Sequence, residues 1–255
     1  MEHNIEGWPW KLAIVAALAI AGVMGRRLSS PENDRALVET LDSATVAIAL
    51  VFFVIQPFIL QSFWIPTGSM ENTLRVQDRL LVSRAIYRLQ EPKFQDVVVF
   101  EAPPAAEQKP DTDFIKRCVG TPGDSIEVRK GVLFRNGKAV PEIYQLWNSG
   151  ALPYDMKIVG GAIYSRDYFA PNVPALWQQN SIVVPDAEQS TLNAASSGKV
   201  PTGQLLMLGD HRSHSLDGHF WGFVPRQNVI GKAVCVFWPP TRLGLVDGLS
   251  FHPRP

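Results

Sequence analysis

The segment Ala44–Trp64, ATVAIALVFFVIQPFILQSFW, and the turn that follows it, Ile65-Pro66-Thr67-Gly68-Ser69-Met70, organise the rest of the chain. The first segment is 21 residues long and carries no charge. As a helix, that length crosses a hydrocarbon layer of about 30 Å. Ser69 follows Trp64 by five residues, which reach at most about 18 Å when fully extended. The sequence therefore predicts a membrane span over 44–64 and places Ser69 near the membrane surface.

A second apolar stretch lies nearer the N-terminus, at Trp8–Gly25. Its small-residue pairs resemble the cleavage site of a removable leader, but no Lys or Arg precedes Trp8. Arg26 and Arg27 follow the stretch at once, which favours a retained span. The loop 26–43 holds three arginines. Because positive loops stay on the cytoplasmic side, we expect this loop inside and both chain ends outside.

Composition bounds the functions that the chain can have. Its 255 residues allow one or two domains, and 24 Lys and Arg balance 24 Asp and Glu. A nucleic-acid-binding protein normally shows a basic patch or stripe, so this balance argues against a nucleic acid partner. Two cysteines, Cys118 and Cys235, are too few for a disulfide framework. They are either two thiols or one bond.

The pattern after Leu74 is that of β-strands. Short runs rich in Val, Leu, Ile and Phe, bounded by Pro, Gly or Asp, predict strands at Arg79–Ser83, Gln95–Phe100, Phe114–Val119, Ser125–Arg129, Gly203–Leu208 and Val229–Phe237. Asn136-Gly137 between apolar flanks predicts a hairpin with a type I′ turn. No segment after Trp64 shows a helical stripe.

The region 141–201 differs in composition from the segments on either side, because it is rich in Asn, Ser, Gln, Ala and Pro. We interpret it as a smaller β-rich subdomain inserted into a β core formed by residues 65–140 and 202–255. Residues 1–64 would be the membrane anchor, with spans at about 8–25 and 44–64. The predicted fold is thus mostly β, behind two N-terminal transmembrane helices.

Ser69 alone would be an ordinary turn serine, because Gly, Pro and Ser favour turns. A serine nucleophile needs a base beside it, and Lys116 is a candidate. On a strand, Lys116 shares its face with Phe114 and Cys118, away from any carboxylate on that face. Burial there would lower its pKa and free the amine to act as a base. The alternative is a surface lysine next to Arg117.

Four segments in order resemble the sequence boxes of bacterial type I signal peptidases, membrane-anchored proteases with a Ser/Lys dyad. These are Ile65-Pro66-x-Gly68-Ser69-Met70-x-x-Thr73-Leu74, Asp78-Arg79-Leu80-Leu81-Val82, Phe114-Ile115-Lys116-Arg117-x-x-Gly120-x-Pro122-Gly123-Asp124 and Gly209-Asp210-x-Arg212-x-x-Ser215-x-Asp217-x-x-x-Trp221-Gly222.

The resemblance implies a role for each matching residue. Ser69 would be the nucleophile and Lys116 the general base. The backbone N–H of Ser69 and the hydroxyl of Thr67 would form the oxyanion hole, and Ser215 would orient Lys116. The resemblance further implies a salt-bridged platform of Asp210, Arg212 and Asp217, and shallow substrate pockets lined by Phe63, Ile65, Met70, Leu74 and Ile115.

The resemblance also implies substrates, partners and location. The expected reaction is removal of signal peptides from translocated preproteins after small residues of the A-x-A type. We expect no metal and no cofactor. The expected site of action is the outer face of the bacterial cytoplasmic membrane, in contact with the lipid bilayer and near the translocation machinery.

The chain departs from the family pattern at several positions, with Asn72 in place of proline, Gln77 in place of glycine and His219 in place of arginine. His211, His214 and His219 raise two alternatives. With the nearby aspartates they hold enough ligand types for zinc, or one of them could serve Ser69 in a Ser-His-Asp triad. A further alternative is a non-catalytic, membrane-anchored β module that binds partners.

Overall fold

A computed structural model describes residues 14–17, 19–21, 23, 35–51, 60–106, 112–167 and 175–248. Ser62–Pro255 belong to one compact unit and Glu2–Gln61 form another. The helices are α1 (Arg35–Leu50), α2 (Ile86–Leu89), α3 (Asp186–Ala194) and α4 (Gly218–Trp221). The strands are β1 (Leu60–Trp64), β2 (Arg79–Ser83), β3 (Val97–Glu101), β4 (Asp113–Gly120), β5 (Ile126–Arg129), β6 (Val132–Arg135), β7 (Lys138–Ala139), β8 (Tyr154–Val159), β9 (Ala162–Asp167), β10 (Gln178–Gln179), β11 (Ile182–Val183), β12 (Gln204–Leu208), β13 (Val224–Pro225), β14 (Val229–Trp238) and β15 (Gly244–Leu245).

The predicted second span, 44–64, is wrong in its last part. The helix α1 covers Arg35–Leu50 and so begins before the predicted span, whereas Leu60–Trp64 is strand β1. Residues 52–59 of the predicted span lie outside the described residues. The strand lacks charges, so it continues the uncharged run in the sequence, and its Phe63 is packed into the β core. Within the described residues, no helix is both long enough and apolar enough to cross a bilayer. Most of the predicted span 8–25, and residues 26–34 of the predicted loop, lie outside those residues.

The first sheet has eight strands, in the order β1-β2-β14-β3-β4-β12-β13, with β15 paired to β14. The predicted strands Arg79–Ser83, Phe114–Val119 and Val229–Phe237 are confirmed as β2, β4 and β14, and the three others lie within two residues of their predicted bounds. Successive side chains of β3 point to opposite faces of the sheet, so this strand contributes to two hydrophobic clusters. Val97 and Val99 pack into one cluster, and Val98 and Phe100 pack into the other, on the opposite face.

The second sheet has seven strands, in the order β11-β10-β9-β8-β5-β6-β7. The predicted type I′ hairpin is confirmed, because Asn136 and Gly137 have φ of 52° and 78° between β6 and β7. The predicted boundary at residue 140 falls inside this sheet, which joins β5–β7 to β8–β11. The sequence shows no helical stripe after Trp64, and α3 accordingly went unpredicted, because it is a largely polar helix in which Leu192 alone is buried.

Candidate active site

Ser69 lies in a single 3₁₀ turn, Gly68–Met70, directly after the first strand. Thr67 before the turn is extended, with φ −129° and ψ 156°. Met70 after the serine is fully buried in the core, and its carbonyl accepts hydrogen bonds from Thr73 and Leu74. The buried side chain of Met70 therefore holds the turn against the core. Ser69 itself is only 7% exposed.

Lys116 lies in the middle of β4, between β3 and β12, and its Nζ is 2.6 Å from the Oγ of Ser69. The side chain is buried, and its Nζ lies 5.5 Å from the centroid of the Phe114 ring. Burial lowers the pKa of Lys116 from 10.5 to about 8, while the charges of Asp217 and Asp210 oppose that change. The structure thus brings the two sequence-predicted residues together, as an alcohol beside an amine that deprotonates readily.

Thr67 is the third predicted member of the site. Its Oγ1 lies 3.5 Å from the Oγ of Ser69, and the residue is exposed. The N–H groups at the start of a helical turn have no acceptor within that turn, which leaves the Ser69 N–H available to a ligand. A hydroxyl and an N–H next to the nucleophile are two donors of the kind that can stabilise an oxyanion.

Ser215 is also buried next to the pair, and its Oγ lies close enough to Asp217 to help lower the pKa of that carboxyl, but it makes no hydrogen bond of ordinary geometry among the described residues. The hydrogen bond to Lys116 expected from the resemblance is therefore absent from this structure.

A Cβ added to Gly209 would stand 2.1 Å from the Ser215 Oγ and 2.7 Å from the Ser69 carbonyl oxygen. Position 209 consequently admits only glycine. The sequence motif includes this glycine, but the sequence alone gives no reason for it.

Asp210, Arg212 and Asp217 are buried, as expected for a platform, but they do not pair with one another. Asp210 accepts hydrogen bonds from Arg117 Nε at 2.8 Å and Nη2 at 2.6 Å. Arg212 makes a bidentate contact with Glu142, in which Nη1 donates to Oε2 at 2.8 Å and Nη2 donates to Oε1. A charge removed from water requires a counter-charge, and Arg117 and Glu142 supply it here. The sequence analysis missed both partners.

Asp217 connects the platform to the base. It accepts hydrogen bonds from Gly209 N at 2.7 Å and from His219 Nδ1 at 2.6 Å. Burial raises the pKa of Asp217, but the charge of His219 and these hydrogen bonds outweigh it, so the pKa is lowered overall. Asp217 therefore stays ionised, and its negative charge acts on Lys116.

The five residues predicted to line substrate pockets all belong to one hydrophobic cluster. They are between 0 and 7% exposed, namely Phe63, Ile65, Met70, Leu74 and Ile115. Their apolar side chains build the floor beneath the serine turn, and their contact with a substrate stays a prediction.

The three histidines do not converge. His211 contacts Asn148 and Glu71, His219 stacks on Tyr154 and contacts Asp217, and His214 is exposed. No three His, Cys, Asp or Glu side chains among the described residues are grouped so as to hold a metal ion. The groups hydrogen-bonded to the Ser69 Oγ in that part of the chain are Lys116 and Thr67, with no histidine. These observations favour the Ser/Lys arrangement over the zinc and triad alternatives.

The cysteines, which the sequence left open, are both free thiols. Burial raises the pKa of Cys118 to about 12, so this thiol stays protonated and takes no part in ionic chemistry near neutral pH.

Comparison with known proteins agrees with the geometry. The family described as "Signal peptidase, peptidase S26" matches residues 37–238. The chain is 33% identical to Signal peptidase I of Leptolyngbya laminosa, over 85% of this chain and 87% of that protein. It is 32% identical to Probable signal peptidase I-2 of Synechocystis sp., over 87% and 81%. A signal peptidase I structure from Enterococcus faecalis aligns with a TM-score of 0.34 and 24% identity, over 56% of this chain and 97% of that one. The chain therefore belongs to the signal peptidase family, peptidase S26, and is a serine peptidase that acts in signal peptide processing.

Proposed function

We propose that the protein is a membrane-bound endopeptidase in which Ser69 is the nucleophile and Lys116 the general base. The observation that carries this proposal is the distance of 2.6 Å between Lys116 Nζ and Ser69 Oγ, at a lysine that is 4% exposed. A lysine can act as a base only when it is neutral, and burial favours its neutral form.

The proposed reaction has two halves. Lys116 takes the hydroxyl proton as the Ser69 Oγ bonds to the scissile carbonyl carbon, which forms a tetrahedral oxyanion. The C–N bond then breaks, and the Lys116 ammonium returns the proton to the leaving amine. In the second half Lys116 takes a proton from water as the water oxygen bonds to the ester carbon. The bond between that carbon and the Ser69 Oγ then breaks, the Lys116 ammonium returns the proton to Oγ, and the acid product leaves.

The oxyanion of each half-reaction would be bound by the Ser69 N–H and the Thr67 hydroxyl. Losing one such donor costs other hydrolases about 3 to 4 kcal/mol in the transition state. Ser215 is proposed to orient Lys116 when the site is occupied, since its Oγ is buried close by and makes no hydrogen bond of ordinary geometry in the described residues.

The proposed substrates are preproteins cut after small residues, at the outer face of the bacterial cytoplasmic membrane. The proposal assigns the apolar N-terminal segments to the anchor. Tethering is favourable because a signal peptide lies in the same bilayer, which raises its effective concentration at the site.

The test is cleavage of a preprotein by the wild type and by Ser69→Ala and Lys116→Ala. Each variant should lose activity by several orders of magnitude, because the two groups act as one unit. Lys138→Ala, which removes an exposed lysine of β7 in the other sheet, serves as the matched control. Full activity of Lys116→Ala would refute the proposal, and loss of wild-type activity with a strong chelator would favour the zinc alternative.

A further inference from the structure

His211 contacts two backbone carbonyl groups of the serine turn, those of Gly68 and Ser69. Its N–H donates to the carbonyl oxygen of Ser69 at 3.1 Å, and its ring Nδ1 lies 3.3 Å from the carbonyl oxygen of Gly68. The side chain is 7% exposed, so these contacts are shielded from water. One residue from the segment after β12 thus holds two consecutive carbonyls of the serine turn.

The orientation of the ring follows from its neighbours. Nδ1 faces two oxygens, the Gly68 carbonyl and the Glu71 carboxylate, each at 3.3 Å. Because both are acceptors, Nδ1 must carry a hydrogen. On the other side, Nε2 lies 2.8 Å from the Oδ1 of Asn148. Turning the amide over puts its NH₂ group there instead, so Asn148 can pair with Nε2 either as acceptor or as donor.

The Gly68 carbonyl is the other half of the peptide unit that carries the Ser69 N–H. A trans peptide is planar, and its C=O and N–H point in opposite directions. A donor that fixes the carbonyl therefore also fixes the direction of the N–H. The Gly68 oxygen accepts from Glu71 N at 2.9 Å as well as from His211, so both of its lone pairs are engaged.

We propose that His211 is a positioning residue that aims the Ser69 N–H at the oxyanion by holding the peptide unit between Gly68 and Ser69. The inference rests on the proposed function, because it assigns a support to the oxyanion hole. His211 itself does not touch the reacting atoms. Its effect should therefore appear in the transition state, with substrate binding left as it is.

The sharpest test compares His211→Asn with His211→Gln. The amide nitrogen of Asn stands close to where the ring Nδ1 stands, whereas that of Gln stands close to Nε2. Asn should keep kcat within about 3-fold of the wild type, while Gln and Ala should lower kcat by about 10-fold at unchanged KM. This loss is a fraction of the 10²- to 10³-fold that removal of a complete oxyanion donor costs.

His214→Ala is the matched control. It removes an exposed histidine whose ring lies 5.4 Å from that of His211, and whose side chain forms no hydrogen bond with the serine turn in the described part of the chain. Its kcat should equal that of the wild type. The rising limb of the pH profile, in which activity increases as Lys116 loses its proton, should keep its midpoint in every variant.

Equal activity of the Asn and Gln variants would overturn the inference, as would a loss that appears only in KM. If His211→Ala does not fold, the Asn and Gln pair still decides. Failure of the proposed function is recognised separately, by activity that survives Ser69→Ala or Lys116→Ala.

Discussion

At the scale of single residues, the environment of Lys116 explains why a lysine can serve as a base here. Its apolar neighbours on β4 were visible in the sequence, and they correctly predicted its burial. The two carboxylates that raise its pKa, on Asp217 and Asp210, come from a segment about one hundred residues away. Their contribution could not be predicted, because alternation along one strand says nothing about charges brought in by another.

Gln77 is a residue in a conformation that suits glycine. Its φ is 74°, its side chain is exposed, and its N–H donates to the carbonyl of Ile65 at 2.8 Å. A residue with a side chain costs about 1 to 2 kcal/mol in the left-handed region, and glycine removes this strain. Glycine also gives the unfolded chain more conformational freedom, which cancels part of the gain in stability. Gln77→Gly should therefore raise the free energy of unfolding by a few tenths to about 1 kcal/mol, measured by chemical denaturation.

Gln204→Gly is the control for this change. Gln204 lies in strand β12, where no positive φ offsets the entropy cost of glycine. This variant should be less stable than the wild type. If Gln77→Gly is destabilised to the same extent, the strain at position 77 is not relieved by glycine and the argument fails.

At the scale of elements, strands were predicted well where apolar runs ended in Pro, Gly or Asp. Helix α3 was missed because Leu192 is its one buried residue and no stripe forms. The sequence did contain a start signal, since Pro185 precedes Asp186 and Glu188 in the first turn. The end of the second apolar run was misassigned because strand β1 carries no charge that would mark where the run ends, although Phe63 is its one buried residue.

The pair Asp210–Arg117 joins the segment after β12 to β4. Both side chains are buried, at 0 and 7% exposure, and Arg117 also stacks on Tyr144 at 3.8 Å. Asp210→Ala leaves a buried cation without its partner, which typically costs 3 to 5 kcal/mol. We expect about that loss in the free energy of unfolding, measured by denaturant titration of the detergent-solubilised protein.

The matched control is Arg129→Ala, which breaks the exposed pair of Arg129 with Glu127. Exposed pairs contribute little because water and salt screen them, so this variant should unfold at the wild-type denaturant concentration. Comparable destabilisation by the two changes would contradict the view that burial gives the Asp210 pair its importance.

At the scale of the whole molecule, the chain divides into two compact units with the site residues in one of them. A chain of residues 60–255 keeps β1 and every site residue but lacks the proposed anchor. It should cleave a short soluble peptide with the kcat/KM of the full chain. On a preprotein embedded in vesicles it should be at least about 10-fold slower, because the gain from confinement to the same bilayer is lost. Equal rates on the embedded preprotein would contradict the role given to the N-terminal unit.

The central claim is that Lys116, buried against Ser69, is neutral enough near physiological pH to act as a base. The most direct measurement is the pH dependence of kcat/KM for peptide cleavage. Because the neutral form is active and the pKa of Lys116 is about 8, activity should rise roughly 10-fold between pH 7 and pH 9 and then level off. A profile that is flat over this range, or that rises only near the ordinary lysine pKa of about 10.4, would contradict the account.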